Sequence, residues 1–443
     1  IPDFLKSVSE GLLKISESII ECTVIVGTIR TEKNSLYNSA AIIGPDKKIY
    51  FRDKYLLPTY DVFDEKRYFK SSESVNPFIM IKDQQSISLG VQICEDLWDD
   101  EYNMDVTKEL VEGGASIIIN ISASPFCLNR IEDRIKIAKL KVKKYNIPLL
   151  YCNLVGAQDE LVFDGQSFAI NSSGEVHAIA NSFVEDDLIF NLNKTSGSIL
   201  INKMSENRQL YMALTLGLKD YFYKSGFKKA IIGISGGIDS ALTTCIAVNA
   251  LGKENVIGVA MPSVFSSNHS VSDARILASN LKINFKVIPI QDINKIFLDE
   301  LSVVFDETEP GLAEENLQAR IRGSILMSIA NKKNALVLST SNKTELALGY
   351  CTLYGDMCGS LAVINDLNKS QVYSLSNWIN SNSNYEIIPS GTLTKPPSAE
   401  LRHNQTDPFD YEVVSPLVDS IIDESIYFDK SIKSSYDSSL VSD

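Results

Sequence analysis

The chain has 443 residues, 44% of them hydrophobic, which at ~100–200 residues per domain means two to four domains with full cores. Charged residues make up 22%, ordinary for a folded protein and against global disorder. Forty-two Lys and Arg against 56 Asp and Glu leave a net charge of −14. That balance disfavours a nucleic-acid partner held by phosphate attraction, and no apolar run approaches the ~18–20 residues of a membrane span. Seven Cys and three His, with no CxxC pair, suggest neither a disulfide framework nor a structural zinc site. A reducing cytoplasm fits best. The chain begins at Ile1 and shows no charged segment leading into an apolar one, so no signal peptide is expected.

Leu36–Tyr55 reads as strand, turn, strand, with Gly44-Pro45-Asp46 as the turn. Ile79–Ile93 reads as two strands leading to Cys94, and Ala115–Ile121 as a β-branched strand. Arg130–Lys144 is a helix with basic residues on one side and Ile135, Ile137, Ala138 and Leu140 as its apolar contribution. Ile147–Val155 is a strand, and Phe163–Ile170 with Val176–Ile179 a late hairpin. The polar run Leu192–Ile201 marks the boundary, giving domains of 1–195 and 196–443. Beyond it, a helix at Glu206–Tyr223 precedes strands at Lys229–Ile234, Val256–Met261, Phe285–Ile288 and Ala335–Ser339. These alternate with helices at Asp239–Leu251, Ser270–Leu281 and Glu314–Ala330. Such alternation predicts a doubly wound parallel sheet.

Between the strand KKAIIGI and the helix DSALTTCIAV lies Gly233-Ile234-Ser235-Gly236-Gly237-Ile238-Asp239-Ser240. A glycine loop at a helix N-terminus offers free N–H groups to phosphate. No GKS or GKT follows, so it is not a Walker A loop. A carboxylate beside phosphates makes sense if it holds Mg²⁺. The plainer alternative is a tight turn with Asp239 and Ser240 as caps.

SGGIDS after an apolar strand resembles the PP-loop of the ATP pyrophosphatases, whose domains have an adenine nucleotide α-hydrolase-like fold. Met261-Pro262-Ser263, Glu314–Arg322 (EENLQARIR), Ser339–Glu345 (STSNKTE), Tyr354-Gly355-Asp356 and Lys395–Leu401 (KPPSAEL) extend the resemblance to the NAD⁺ synthetase family over about residues 205–420. It implies adenylation of the nicotinate carboxylate of deamido-NAD⁺ by ATP, then displacement of AMP by ammonia. It further implies Gly233 to Ser240, Thr340, Lys369 and Ser398 as ATP contacts, and Asn316 and Glu345 near deamido-NAD⁺. Asp239 and Glu345 become the Mg²⁺ acids. Asn316, Glu345 and Lys369 could also be surface or capping groups.

In the first half, Lys54–Phe69 (KYLLPTYDVFDEKRYF) and Gly90–Trp98 (GVQICEDLW) stand out. A Cys ending a buried strand can be a nucleophile, but no His is near in sequence to serve as its base. The segments resemble the nitrilase-like glutaminase domain of glutamine-dependent NAD⁺ synthetases, an α-β-β-α sandwich with a Glu–Lys–Cys triad. The resemblance makes Cys94 the nucleophile, Lys54 the lysine supporting the intermediate and Glu65 the second glutamate. Tyr60, Ser124 and Arg130 become glutamine contacts, and Asn153–Gly165 the run beside the site.

The family also implies a general-base Glu ahead of Pro2-Asp3-Phe4-Leu5 and a basic tail beyond Ser439–Asp443. Neither is in the sequence, and Glu10, Glu17 and Glu21 are poor replacements for the base. The expectation is a fragment whose glutaminase is weakened and whose synthetase can use ammonia. Other readings are another PP-loop amidotransferase, a tRNA-thiolating enzyme, which the charge opposes, and a degenerate non-catalytic homologue. The main reading is a cytoplasmic, homo-oligomeric ligase acting on deamido-NAD⁺, ATP with Mg²⁺, and glutamine or ammonia, with no nucleic-acid or membrane partner and a protected ammonia path between its sites.

Overall fold

The computed structural model describes residues 2–82, 85–189, 191, 199, 203–305, 309–403 and 405–422. Of the expected boundary run only residue 199 is described, and residues 439–443 lie outside the described residues. The chain divides into two compact units, Ile1–Met204 and Ser205–Asp443.

The first unit runs α1 (Pro2–Ser18), β1 (Val24–Glu32), β2 (Ser35–Ile43), β3 (Ile49–Asp53), β4 (Phe78–Lys82), β5 (Gln85–Ile93), α2 (Val106–Glu112) and β6 (Ile117–Ser122). It continues through α3 (Arg130–Tyr145), β7 (Leu149–Asn153), β8 (Val155–Gln158), β9 (Leu161–Asp164), β10 (Phe168–Ile170) and β11 (Val176–Ile179). β1–β3 form an antiparallel sheet, and a second sheet has the order β11-β10-β7-β6-β5-β4. Side-chain alternation builds the layers. On one face of β2, Ala41 and Ile43 pack against Leu12 and Ile15 of α1. On the other, Ala40 and Ile42 meet Leu89, Val91 and Ile93 of β5. The far face of the larger sheet carries Ile118 and Leu149 against Leu110 of α2 and Ile135, Ala138 and Val142 of α3. The result is the expected α-β-β-α sandwich. β2 is buried on both sides, so its sequence is almost continuously apolar at its end, AAII, rather than alternating.

One expectation needs correction. The basic residues of α3 do not all lie on one side: Arg134 is fully buried and Lys141 nearly so, whereas Lys136, Lys143 and Lys144 are exposed. Arg134 Nη1 donates to both carboxylate oxygens of Asp164 at 2.8 and 3.0 Å, and its Nη2 to the carbonyls of Ser124 and Pro125. Lys141 pairs with Asp99. Hydropathy assigns such residues outward; the carboxylates that permit their burial come from distant segments.

The second unit contains α4 (Glu206–Ser225), β12 (Ala230–Gly233), α5 (Ile238–Leu251), β13 (Val256–Ala260), α6 (Asn268–Leu281), β14 (Asn284–Val287), α7 (Gln291–Phe305) and α8 (Leu312–Lys333). Then follow β15 (Leu336–Ser339), α9 (Lys343–Ala347), β16 (Leu361–Ala362), α10 (Lys369–Ser381), α11 (Ser390–Thr394) and α12 (Tyr411–Ile422). The five strands are all parallel, in the order β14-β13-β12-β15-β16. Ala230 and Ile232 of β12 join the core with α4, α5 and α10, whereas Ile231 joins the core with α8. This is the doubly wound arrangement read from the sequence. β12 continues to β13 on one side and pairs with β15 on the other, so the loops after β12 and β15 open a crevice at the carboxyl ends of the strands.

The buried Arg134–Asp164 pair and the exposed pair Arg130–Asp133, 4.0 Å apart, allow a direct comparison. Asp164→Ala strands a buried guanidinium and should lower the stability of the first unit by about 3–5 kcal/mol. Asp133→Ala should cost less than about 1 kcal/mol. Denaturant titration of the two variants checks the difference.

Candidate active sites

In the first unit, Lys54 follows β3. Its N–H donates to the Asn38 carbonyl at 2.8 Å, and its carbonyl accepts from the N–H of Ser72 at 3.0 Å. The side chain is 1% exposed, and Nζ lies 2.5 Å from Glu65 Oε1. Glu65 begins a short 3₁₀ turn, and its other oxygen accepts from Asn38 Nδ2 at 3.3 Å. Cys94 directly follows β5 and opens a short 3₁₀ turn with φ of +46°, a left-handed conformation that a non-glycine residue adopts at some cost. The Cys94 carbonyl accepts from Asn120 Nδ2 at 3.2 Å. Burial pushes the Cys94 thiol up, Lys54 draws it back, and Glu95 and Glu65 oppose ionisation. A nucleophile in this position depends on the nearby ammonium.

Cys94, Lys54 and Glu65 line one cavity of about 620 Å³, together with Asn38, Ser122 and Asn153. Tyr60, Ser124 and Arg130 do not line it. The Tyr60 hydroxyl donates to Glu95, 2.8 and 3.0 Å from its two oxygens. Burial and Glu95 raise its pKa. Ser124 is buried, its N–H donating to Asn153 Oδ1 at 3.0 Å and its hydroxyl accepting from Arg134 Nε at 3.2 Å. Arg130 opens α3, with its guanidinium 5.4 Å from the centre of the Trp98 ring.

Two residues were not singled out from the sequence. Glu95, 4% exposed, accepts from both Tyr60 and Tyr102. Asp96, 3% exposed, accepts from the N–H groups of Tyr55, Leu56 and Ile93. The available signal was a pair of acids directly after a strand-ending Cys, a place where unpaired carboxylates would be expensive to bury.

In the second unit, the PP-loop turns through Gly236 at φ +84°, where any side chain would collide with the backbone of Ser270. The Ser240 hydroxyl accepts from the N–H of Ser235 at 3.2 Å and donates to the Gly237 carbonyl at 2.9 Å. Gly237, the N-cap of α5, has no side chain to cap the helix, and its own N–H donates to the Ser235 hydroxyl at 3.1 Å. A pocket of about 290 Å³ is lined by the predicted loop residues other than Gly236, and by Thr340, Glu345, Lys369 and Ser398. Asn316 does not line it; its Oδ1 accepts from the Thr352 hydroxyl at 2.7 Å.

At the pocket floor Lys369, 2% exposed, places Nζ 2.6 Å from Asp239 and 2.9 Å from Glu345. Asn342 Nδ2 donates to the other oxygen of Asp239 at 2.9 Å, and Asn342 Oδ1 accepts from the N–H of Glu345. Burial, reinforced by Asp239, pushes the Glu345 carboxyl up to about 7 against the pull of Lys369. Burial opposes the charge on Lys369, but the two carboxylates outweigh it and hold the ammonium above its ordinary pKa. Lys369 was expected to reach phosphate; it also bridges the two acids. At the rim, Lys395 Nζ contacts Glu400 Oε1 at 2.5 Å and the Ser270 hydroxyl at 2.6 Å. Arg322, whose pKa burial lowers to about 10, also lines the pocket.

Among the described residues no three His, Cys, Asp or Glu converge as a self-sufficient metal site. Asp239 and Glu345 still fit Mg²⁺, a hard cation held by one or two carboxylates with substrate phosphates and water. Two carboxylates against one ammonium leave a net negative charge. No helix among the described residues is long and apolar enough to cross a membrane.

Comparison with known proteins agrees with both halves of this geometry. The carbon–nitrogen hydrolase family matches residues 18–196, and the NAD synthase family residues 210–439. The glutamine-dependent NAD(+) synthetase of Synechocystis sp. is 44% identical over 426 residues, covering 92% of this chain and 75% of that protein. The enzyme of the same name from Thermotoga maritima is 40% identical, covering 91% of this chain and 76% of its own. The solved structure of glutamine-dependent NAD+ synthetase from Acinetobacter baumannii with ADP superposes with a TM-score of 0.82 at 33% identity. That match covers all of this chain and 81% of the other. Two family matches in tandem and relatives this similar over nine-tenths of the chain establish that it belongs to the glutamine-dependent NAD(+) synthetases.

Proposed function

We propose that the two pockets carry the two half-reactions of glutamine-dependent amidation of deamido-NAD⁺. The observation that carries the reading is that each pocket holds a buried lysine against carboxylate, one beside a cysteine and one beneath a PP-loop.

In the first unit, which ends between residues 195 and 204, Cys94 Sγ attacks the amide carbon of glutamine. The tetrahedral oxyanion is stabilised by the Lys54 ammonium, which is paired with Glu65. The C–N bond breaks as the proton given up by the Cys94 thiol passes to the leaving nitrogen, and ammonia departs, leaving the thioester. Water then cleaves the thioester to give glutamate. Tyr60, Ser124 and Arg130, which lie outside the cavity lining, are the proposed contacts for the part of glutamine that extends beyond it.

In the second unit the nicotinate carboxylate attacks the α-phosphorus of ATP, forming the acyl adenylate and releasing pyrophosphate. Ammonia attacks the acyl carbon, and AMP leaves. Gly233 to Ser240 present backbone N–H and hydroxyl groups to the phosphates. Thr340, Lys369 and Ser398 complete the proposed ATP contacts, with Glu345 inside the pocket and Asn316 outside its lining as the proposed dinucleotide contacts. Asp239 and Glu345 would hold Mg²⁺, which when bound neutralises phosphate charge. A cytoplasmic, homo-oligomeric enzyme fits this chemistry.

NAD⁺ formation measured with glutamine and, separately, with ammonium tests the division of labour. Cys94→Ser should lower the glutamine-dependent rate by on the order of 10³-fold or more and leave the ammonium-dependent rate unchanged. Loss of both rates, or of neither, overturns it. Lys369→Met should abolish both.

The Glu345 pKa is raised from 4.5 to about 7, so the folded state prefers the protonated form. Its contribution to stability is full below 4.5 and is lost as pH rises to about 7. Glu345→Gln, neutral throughout, should therefore gain thermal stability relative to the parent across that interval, with no further gain above it. The same variant should lose NAD⁺ formation with either nitrogen donor. A melting-temperature difference independent of pH would refute the assignment.

A further inference from the structure

Asp96 is a buried acid that the proposed chemistry leaves unused. Its Oδ1 accepts from the backbone N–H of Tyr55 at 3.1 Å and of Leu56 at 2.8 Å, and its Oδ2 from that of Ile93 at 3.1 Å. These three donors have a common relation to the site. Tyr55 and Leu56 directly follow Lys54, and Ile93 directly precedes Cys94. Asp96 is 40 and 41 residues from the first two. The two segments belong to different sheets, since β3 leads into Lys54 and β5 into Cys94.

We propose that Asp96 is the positioning residue of the glutaminase, a single carboxylate that clamps the lysine-bearing loop to the cysteine turn and so sets the distance between ammonium and thiol. It touches neither substrate nor reacting atoms in this reading, which rests on Cys94 as nucleophile and Lys54 as its supporting cation. The clamp is itself held. The Asp96 carbonyl accepts from Gln92 Nε2 at 3.2 Å, and the same amide donates to the Thr107 hydroxyl at 3.0 Å. Next to it, Asn120 holds the Cys94 carbonyl, and the Ser122 hydroxyl donates to Asn120 Oδ1 at 2.6 Å. Cys94 thus keeps its left-handed backbone because groups before and after it are tied. A carboxylate with three backbone donors is suited to this work: it fixes main chain, which side-chain packing alone leaves free to shift.

Asp96→Asn preserves size, but its amide nitrogen cannot accept, so at least one tether is replaced by two opposed donors. A displacement of about 1 Å at a reacting centre costs on the order of 10²-fold in rate. The variant should lose kcat for glutamine-dependent NAD⁺ formation by roughly that factor, with KM for glutamine little changed. Alkylation of Cys94 by iodoacetamide should slow with it, and the ammonium-dependent rate should match the parent. If Asp96→Asn does not accumulate folded, Asp96→Glu carries the test with the same measurements, since it keeps the charge and all acceptors but moves the carboxylate by one methylene. A folded variant with parental kcat and alkylation rate overturns the proposal, as does one in which KM alone rises. If Cys94→Ser retains its glutamine-dependent rate, the nucleophile assignment fails and Asp96 falls with it. If Cys94→Ser is inactive with glutamine while Asp96→Asn is parental, only the clamp is wrong.

Discussion

An ammonium group withdrawn from water must have an anion beside it, and both sites are organised by that requirement. Lys54 and Lys369 are 1% and 2% exposed. Lys54 is paired with Glu65, and Lys369 with both Asp239 and Glu345. The pairing fixes more than charge. It determines which segments must meet: the loop after β3 with the 3₁₀ turn at Glu65, and the first turns of α5, α9 and α10 with one another.

The two lysines differ in how many carboxylates they face. Lys54 has one, leaving a neutral pair beside a thiol whose ionisation burial opposes. In the proposed reaction a single cation in that cavity serves the thiolate and later the oxyanion. Lys369 has two, leaving an excess negative charge under the phosphate loop. That excess suits a divalent cation arriving with a nucleotide, and it also raises the Glu345 carboxyl. The same elementary electrostatics therefore supports nucleophilic attack in one unit and phosphoryl chemistry in the other.

Much of this was legible in the linear order of residues. Strands alternating with helices indicated the parallel sheet, because each segment's periodicity reports its own burial. The glycine loop could be read because its requirements are local. Gly236 must turn where a side chain would strike Ser270, and Asp239 and Ser240 follow within the same helix turn. Cys94, Lys54 and Glu65 were visible as candidates through motif resemblance, and the fold brings them to one cavity. β1 escaped because VIVGTIRTE combines an apolar start with charged and threonine residues, a pattern that pairing with β2 rather than local composition makes a strand.

The sequence by itself determined the two-unit order, the strand and helix types, and the chemical inventory of both sites. These depend on residues near one another along the chain. Only the tertiary structure decided which acids meet which bases. The burial of Arg134 depends on Asp164, 30 positions away. Asp96 had no evident role until the fold placed main chain from two sheets around its carboxylate. Lys369 is expected at the ATP phosphates, and the fold also gives it two carboxylates, from α5 and α9, separated from it by 130 and 24 positions. A buried charge is stable only in company, and the company is chosen by packing across the whole unit rather than by neighbours in sequence.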